Sequence, residues 1–342
     1  MRAAFLVSHG KKESLELGER PMPARGAGDA LVRLRVAAMN RVDLYMRDDA
    51  RGITHELPLI AGVDGAGDLV EGGESAGLKP GDRVMVFPPV GCGICEFCRT
   101  GDQTMCRHLR VTGEHRDGCY AEFISLPAHN LLPIPPTQSY EQAACFGGAY
   151  TTAWRGLFTR GRLKAGETVL ITGIGGGVAV AALQFAMAAG ARVFVTSSRD
   201  AKIERAIALG AVAGVNYRSD NVVNRVLSLT GGRGVDLVFD GAGAPTWDAS
   251  LRLLVRGGRL VCYGATGGAD PSADVKRVFI KQLEVIGTVL CNRGEADRML
   301  AFCQAHPVVP VIDRRFTLAD IRAAYDHLGQ GDQFGKVIIE IG

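Results

Sequence analysis

The chain has 342 residues, 47% hydrophobic and 22% charged, with 39 Lys and Arg against 36 Asp and Glu for a net charge of +3. This is about two domains' worth of globular protein, and the near balance of charge, with no basic block or aromatic-interleaved basic stripe, argues against a nucleic-acid partner. The opening MRAAFLVSHGKKE is too short an apolar run for a signal peptide, and no stretch approaches the ~20 apolar residues of a membrane span; nine cysteines without a secreted disulfide pattern point to a soluble protein of a reducing cytoplasm.

Residues 1–148 read as short β-rich segments broken by glycine and proline, such as ALVRLRVAAMN, GDRVMVFPP and YAEFISLPA, and predict an irregular barrel. Inside this half, Cys92, Cys95, Cys98 and Cys106 are spaced CxxCxxCx7C in a glycine-containing loop. Four thiolates fill a tetrahedral Zn²⁺ completely, so the expectation is one structural zinc per chain that performs no chemistry.

From about residue 150 the pattern changes to apolar strand runs at 168–172, 192–196, 214–217, 235–240, 259–264 and 283–289, separated by helical stretches. Such alternation predicts an α/β, doubly wound parallel sheet. After about 290 the reading gives one more helix and a terminal strand, FGKVIIEIG, that returns to the first lobe. The predicted division is therefore 1–148 with 291–342, and 149–290; with no Pro- or Ser-rich linker, the two lobes are expected to meet and enclose a cleft.

Directly after strand 168–172 comes GIGGGVAVAALQFAMAAGA, a glycine-dense turn opening a helix expected to be amphipathic. Its match is Gly173-x-x-Gly176-x-x-Ala179, with Gly175, Gly177 and Val178 in between, and the strand before and helix after suit the pyrophosphate of a dinucleotide. At the end of the next strand, VTSSRDAK offers the hydroxyls of Ser197 and Ser198 and the charges of Arg199 and Lys202 where NAD-selective proteins place a carboxylate. That favours NADPH over NADH, with Asp200 expected as a helix N-cap. Tyr217 either packs on the cofactor or simply closes the third strand.

The four-cysteine loop, the glycine turn, DGCYAEFISLPAHNLLPIP at 117–135 and the terminal FGKVII together resemble the zinc-containing alcohol dehydrogenase and quinone oxidoreductase superfamily, the medium-chain dehydrogenases/reductases, over essentially the whole chain. The resemblance implies a GroES-like β-rich catalytic domain, a Rossmann coenzyme domain and a homodimer or homotetramer. Alcohol dehydrogenases of the family also bind a catalytic zinc, at positions that here hold Asn40, Val63 (in Gly62-Val63-Asp64) and Gly148. An amide, an isopropyl group and a hydrogen make no zinc site. Cys145, His115 and Cys119 are the nearby soft ligands, and none matches a ligand position of the family.

The same segment, Asn40-x-x-Asp43-x-Tyr45, resembles the NxxDxY pattern of quinone oxidoreductases and enoyl reductases, which work without catalytic metal. The resemblance implies hydride transfer from NADPH to an α,β-unsaturated carbonyl (enal, acrylate, enoyl thioester) or a quinone, acceptors electrophilic enough that hydrogen bonding can replace a Lewis acid. Asn40 would stabilise the developing oxyanion. Tyr45 would deliver the proton or line the cleft, with water as the other proton source, and Asp43 and Asp64 would support Asn40. By position only, Gly264, Ala265, Thr266, Leu290, Cys291 and Asn292 fall where the family holds the nicotinamide. Lys336 matches a family lysine near the cleft and is assigned to the cofactor, with a solvated surface lysine as the other reading. Two other classes stay open: a zinc alcohol dehydrogenase with unconventional ligands, and a non-catalytic NADPH-binding protein of crystallin type.

Overall fold

In the computed structural model, residues 1–10 and 12–342 are described. The chain forms two compact units, one of Met1–Ala149, Asn292–Ala296 and Val309–Gly342, the other of Tyr150–Cys291 and Asp297–Val308. Residues 297–308 thus join the second unit, not the first as the sequence reading placed them. Phe302 explains this, since its ring lies 5.3 Å from Trp154 and 6.1 Å from Phe185, among the aromatics of the second unit's interior.

The first unit opens with strands β1 (Arg2–Leu6), β2 (Leu15–Glu19), β3 (Asp29–Ala38), β4 (Leu59–Ile60), β5 (Asp64–Glu71), β6 (Arg83–Val86), β7 (Pro89–Val90), β8 (Arg110–Val111), β9 (Phe123–Pro127) and β10 (Leu131–Pro133). In β3 the alternation of buried Ala30, Val32, Leu34 and Val36 with more exposed neighbours is the period-two signature of a strand covering a core on one face.

The second unit contributes β11 (Thr168–Ile171), β12 (Arg192–Ser197), β13 (Ala213–Asn216), β14 (Val235–Asp240), β15 (Leu254–Cys262) and β16 (Glu284–Gly287), all parallel in the order β13-β12-β11-β14-β15-β16. Strand order reverses between β11 and β14, the switch point where ligands bind such sheets. The helix Gly177–Ala188 that follows β11 is not amphipathic: Ala179 through Leu183, Phe185 and Ala186 are all buried. With Gly177, Val178, Gln184, Met187 and Ala188 half-buried as well, no face of this helix is left fully to solvent.

The chain then returns to the first unit with β17 (Ile312–Thr317) and β18 (Lys336–Glu340). The main sheet there runs β10-β6-β5-β3-β18-β17, with β9 also pairing with β3. The region after residue 290 holds two helices, Arg293–Ala305 and Ile321–Gln330, and two strands, β17 and β18, where the sequence reading expected a single helix and one terminal strand. Ile321, Ala324, Tyr325 and Leu328 bury one face of the second helix at the i, i+3, i+4, i+7 spacing. β3 runs antiparallel to both β5 and β18, so its end lies level with their starts: Ala38 pairs with Asp64 on one side and with Ile338 on the other. That register brings residues 40, 64 and 336 together.

Candidate active site

Asn40 lies two residues past β3 and caps the helix Arg41–Asp48 from an extended backbone (φ −130°, ψ 160°). Its own N–H donates to Asp43 Oδ2 at 2.7 Å, so Asn40-x-x-Asp43 is also a helix-starting pattern in which the third helical residue reaches back to the cap. Asp43 Oδ2 accepts a second bond from Tyr120 Oη at 2.7 Å. Complete burial pushes the Asp43 carboxyl up to about 6 despite these two donors, and its Oδ1 has no hydrogen-bond partner.

Lys336 is neither a surface lysine nor open to a cofactor. It is 2% exposed, and Nζ donates to Met39 O at 2.8 Å, Asn40 Oδ1 at 2.7 Å and Asp64 Oδ2 at 2.9 Å, which uses all three of its protons. Asp64 is fully buried as well, and takes a further bond from Asn40 Nδ2 at 2.9 Å and one from the Gly148 N–H. Burial raises its carboxyl, opposed by Lys336, Asn40 and Gly148. An ammonium only donates and a carboxylate only accepts, so this pair fixes which end of the Asn40 amide is oxygen and which is nitrogen. One Nδ2 hydrogen is thereby spent on Asp64, and the other faces Ala38 O only at 3.4 Å.

The three positions that would supply a catalytic zinc do not fit one. Val63 is 2% exposed and belongs to the core. Gly147 and Gly148 lie in a wide π-type helical turn, Phe146–Tyr150, pressed onto Asp64. A Cβ built at 148 would stand 3.0 Å from Asp64 Oδ1 and 3.5 Å from both amide atoms of Asn40, and one at 147 would stand 2.6 Å from Asp64 Oδ1. The alternative ligands are no better: burial pushes the Cys145 thiol up to about 12 and the Cys119 thiol well above its ordinary value, and His115 Nδ1 accepts from the Val111 N–H. A fixed ammonium occupies the centre instead.

Tyr45 lies one turn along the helix that Asn40 caps. Its hydroxyl is buried without a hydrogen-bond partner, and the Arg51 guanidinium sits 4.0 Å over its ring.

In the cysteine loop, the sulfurs of Cys92, Cys95, Cys98 and Cys106 lie within 4.8 Å of one another, the only group of three or more metal-capable side chains so placed among the described residues. Cys106 Sγ accepts from the N–H groups of Cys92 and His108, both at 3.3 Å. Backbone N–H groups, that of Cys98 foremost, bring Cys95 down to about 6, and Cys92 is lowered too, while burial and neighbouring thiols push Cys98 up to about 12. Four thiols crowded together cannot all ionise without a cation, and a divalent ion reverses that balance. The donor set fits tetrahedral zinc.

In the second unit, Gly173 (φ +63°) and Gly175 (φ +126°) adopt backbone conformations that favour glycine, and a Cβ at Gly176 would meet nothing within 4 Å. The turn is tied to β12 by Gly173 N to Thr196 Oγ1 (3.1 Å) and Ile174 N to Thr196 O (2.7 Å). Gly177 and Val178 open the helix. Open space above free helical N–H groups fits a pyrophosphate.

Ser197, expected at a ribose phosphate, is buried, and its hydroxyl accepts the Arg199 N–H at 3.2 Å. Ser198 and Arg199 lie nearer solvent at the same strand end, with Lys202 one turn into the next helix. Asp200 is the first helical residue rather than the N-cap, which is Arg199; the Asp200 carboxylate accepts from Asn216 Nδ2 at 2.9 Å instead. Tyr217 follows β13 half exposed, its N–H bonded to Ser197 O.

Thr266, after β15, donates through Oγ1 to Gly241 O, and beside it come Gly264 and Ala265. Leu290 has a left-handed backbone (φ +45°), sparsely populated for a leucine, and Cys291 is fully buried. Asn292 and Glu295 exchange backbone-to-side-chain bonds at the start of the helix 293–305.

One feature at the switch point escaped the sequence reading. Asp240, buried at the end of β14, accepts from Thr172 Oγ1, Thr246 Oγ1 (2.7 Å) and the Gly243 N–H (2.8 Å), locking the ends of β11 and β14 together. An aspartate closing an apolar strand, VFDGAGAP, is the signal that could have found it.

A parallel sheet of this order with a glycine turn at its switch point, in one chain with a β-rich unit bearing a four-cysteine loop, defines a nicotinamide-type oxidoreductase. The Zinc-binding dehydrogenase family model matches residues 177–305, and the Alcohol dehydrogenase GroES-like domain model matches residues 26–136. A zinc-type alcohol dehydrogenase-like protein of Schizosaccharomyces pombe is 32% identical over 97% of this chain and 95% of its own. An acryloyl-coenzyme A reductase of Sulfurisphaera tokodaii is 29% identical over 98% of this chain and 99% of its own. The crystal structure of an NAD-dependent alcohol dehydrogenase superposes with a TM-score of 0.94 at 34% identity, covering 100% of both chains. The chain belongs to the zinc-containing medium-chain dehydrogenase/reductase superfamily.

Proposed function

We propose that this chain is an NADPH-dependent reductase of conjugated carbon–carbon double bonds, acting on an enal, acrylate, enoyl thioester or quinone without a catalytic zinc. The observation that carries the reading is the buried Lys336 ammonium bonded to Asn40 and Asp64 at the place where three metal donors would be needed. The coenzyme supplies the hydride. Asn40, its amide oriented by Lys336 and Asp64, uses its second Nδ2 hydrogen to bind the substrate oxygen on which negative charge develops. Lys336 adds a fixed positive charge behind that amide and acts through it. Tyr45, whose buried hydroxyl has no partner, supplies the α-carbon proton or holds the water that does. Asp43 holds the Asn40 backbone. The absence of a carboxylate ligand at the end of β12, with Ser198, Arg199 and Lys202 there instead, supports NADPH, and the cysteine loop supports one structural zinc.

A second reading, an alcohol dehydrogenase, is favoured by the names of many relatives, the S. pombe protein and the superposed dehydrogenase among them. The two separate in a substrate panel of enals, acrylates, enoyl-CoA esters, quinones, ketones and simple alcohols, with NADPH and NADH compared. Conjugated acceptors should be turned over best, and Asn40→Ala should lower kcat about 100-fold. Preference for a simple ketone or alcohol over every conjugated acceptor refutes the proposal.

We also propose that two copies associate through the outer edge of β16. Val285 on that strand and Val289 just beyond it are exposed, as are Val275 and Phe279 on the helix Val275–Lys281. An exposed apolar sheet edge calls for a partner. Val285→Lys should shift the mass measured by light scattering toward the monomer.

A further inference from the structure

Two side chains stand outside all of this chemistry. His9 follows β1, and His55 lies in the segment after Arg51; their Nε2 atoms are 3.0 Å apart. The Nδ1 of His9 is 2.8 Å from Met46 O, and that of His55 is 2.8 Å from Ile53 O. A carbonyl oxygen can only accept, so each Nδ1 must carry its ring's proton. In the neutral rings both Nε2 atoms are then bare acceptors in contact with one another. Two facing lone pairs at this distance repel unless something positive lies between them.

We propose that His9 and His55 form a metal site, separate from the four-cysteine loop, for a borderline divalent cation of the Ni²⁺, Cu²⁺ or Zn²⁺ type, completed by water. Each imidazole is held by a backbone carbonyl at its other nitrogen, which is how proteins orient metal-ligating histidines. With metal–nitrogen bonds of about 2.0–2.1 Å, the observed separation corresponds to a nitrogen–metal–nitrogen angle of about 95°. That suits two cis positions of a tetragonal or octahedral ion, with neutral imidazole nitrogen the preferred donor type for these metals. The ring planes stand at 86°, so neither ring blocks the open side of the other's nitrogen. His115 is close enough to influence His55 electrostatically, but its Nδ1 accepts from the Val111 N–H, which places its own proton on Nε2 and leaves it out of the ligand set.

Filling the site would join the end of β1 to the segment that follows Arg51, whose guanidinium covers Tyr45. The inference is independent of the proposed reaction, because it concerns binding and not turnover.

The test titrates Ni²⁺ into the zinc-loaded protein by calorimetry, with released zinc assayed in parallel so that exchange at the cysteines is scored separately. One equivalent should bind without zinc release, and His9→Gln and His55→Gln should each weaken it by at least ~10-fold. In the unaltered protein, the ring resonances of two of the seven histidines should broaden with the first equivalent, ahead of the other five. That second readout needs no variant to fold. Absence of stoichiometric binding, meaning that the pair holds only a shared proton, overturns the proposal, as does binding that both variants retain in full.

Discussion

The four-cysteine loop and the Asn40–Asp64–Lys336 cluster are the two places where the family resemblance raises the question of a metal, and they answer it differently. In the loop, four sulfurs within 4.8 Å, two of them with thiols brought below their ordinary range by backbone N–H groups, call for a divalent ion. In the cluster, the positive charge is covalently part of the chain: an ammonium whose three protons are consumed by Met39, Asn40 and Asp64. Concentrated negative charge must be neutralised in both. The loop leaves its charge to be met by a bound ion, whereas the buried Asp64 carboxylate is met by the Lys336 ammonium of the chain itself.

The largest expected effect comes from breaking the recruited cation. Cys98→Ser should abolish stoichiometric zinc and unfold the 91–106 lobe, since structural zinc sites contribute folding energy on the order of 10 kcal/mol. Zinc analysis together with proteolysis inside the lobe checks this; a variant that keeps full zinc content and protease resistance contradicts the structural assignment.

Breaking the built-in cation should cost less. Lys336→Met leaves Asp64 buried without its counter-ion, a loss of about 3–5 kcal/mol in urea unfolding. Asp64→Asn should be milder, because Lys336 keeps Met39 O and Asn40 Oδ1, and the double variant should recover part of the Lys336→Met loss. Strict additivity would show that the two residues do not act as a pair.

Converting one site toward the other should cost less again. Gly148→Cys restores a thiol at a catalytic-metal position, but its Cβ would lie 3.0 Å from Asp64 Oδ1 with Lys336 still in place. The expected result is a destabilisation of about 1–3 kcal/mol from overpacking and no second tightly held zinc. A tightly bound second ion that appears with this substitution would show that the cluster can still become a metal centre.

What was legible in the sequence was local. The cysteine spacing, the glycine turn after β11 and the six strands of the parallel sheet all declare themselves within a few residues. What was not legible depends on register between distant strands. Lys336 and Asp64 are 272 positions apart, and only the pairing of β18 and β5 on either side of β3 makes one the partner of the other. Local competition misled in the same way. Asp200 sat in the register of a cap, but Asn216 at the end of β13 drew its carboxylate away. Ser197 was expected at the ribose phosphate, yet it is buried with its hydroxyl bonded to the Arg199 N–H. One helix was expected after residue 290 where two form, although the apolar spacing of Ile321, Ala324, Tyr325 and Leu328 is itself local.

The smallest effect tests the residue that joins the cluster to its helix. Asp43 is completely buried and its carboxyl is raised from 3.8 to about 6, with burial the largest cause. Between those values the unfolded chain has released this proton and the folded chain has not, so stability falls as pH rises through the window and is level above it. Asp43→Asn removes that dependence, and its amide can still accept from the Asn40 N–H and Tyr120 while placing donors where Oδ1 has no partner. The raised carboxyl corresponds to about 3 kcal/mol at most, and weaker bonds to a neutral acceptor lower the variant by an amount that does not change with pH. The stability of the variant relative to the unaltered protein should therefore improve by up to about 3 kcal/mol between pH ~4 and ~7, leaving only a small net difference at neutral pH. Unfolding curves that run parallel across that window would mean that Asp43 is ionised in the fold at no cost, and that the positive charge of Lys336 reaches past Asp64 to serve both carboxylates.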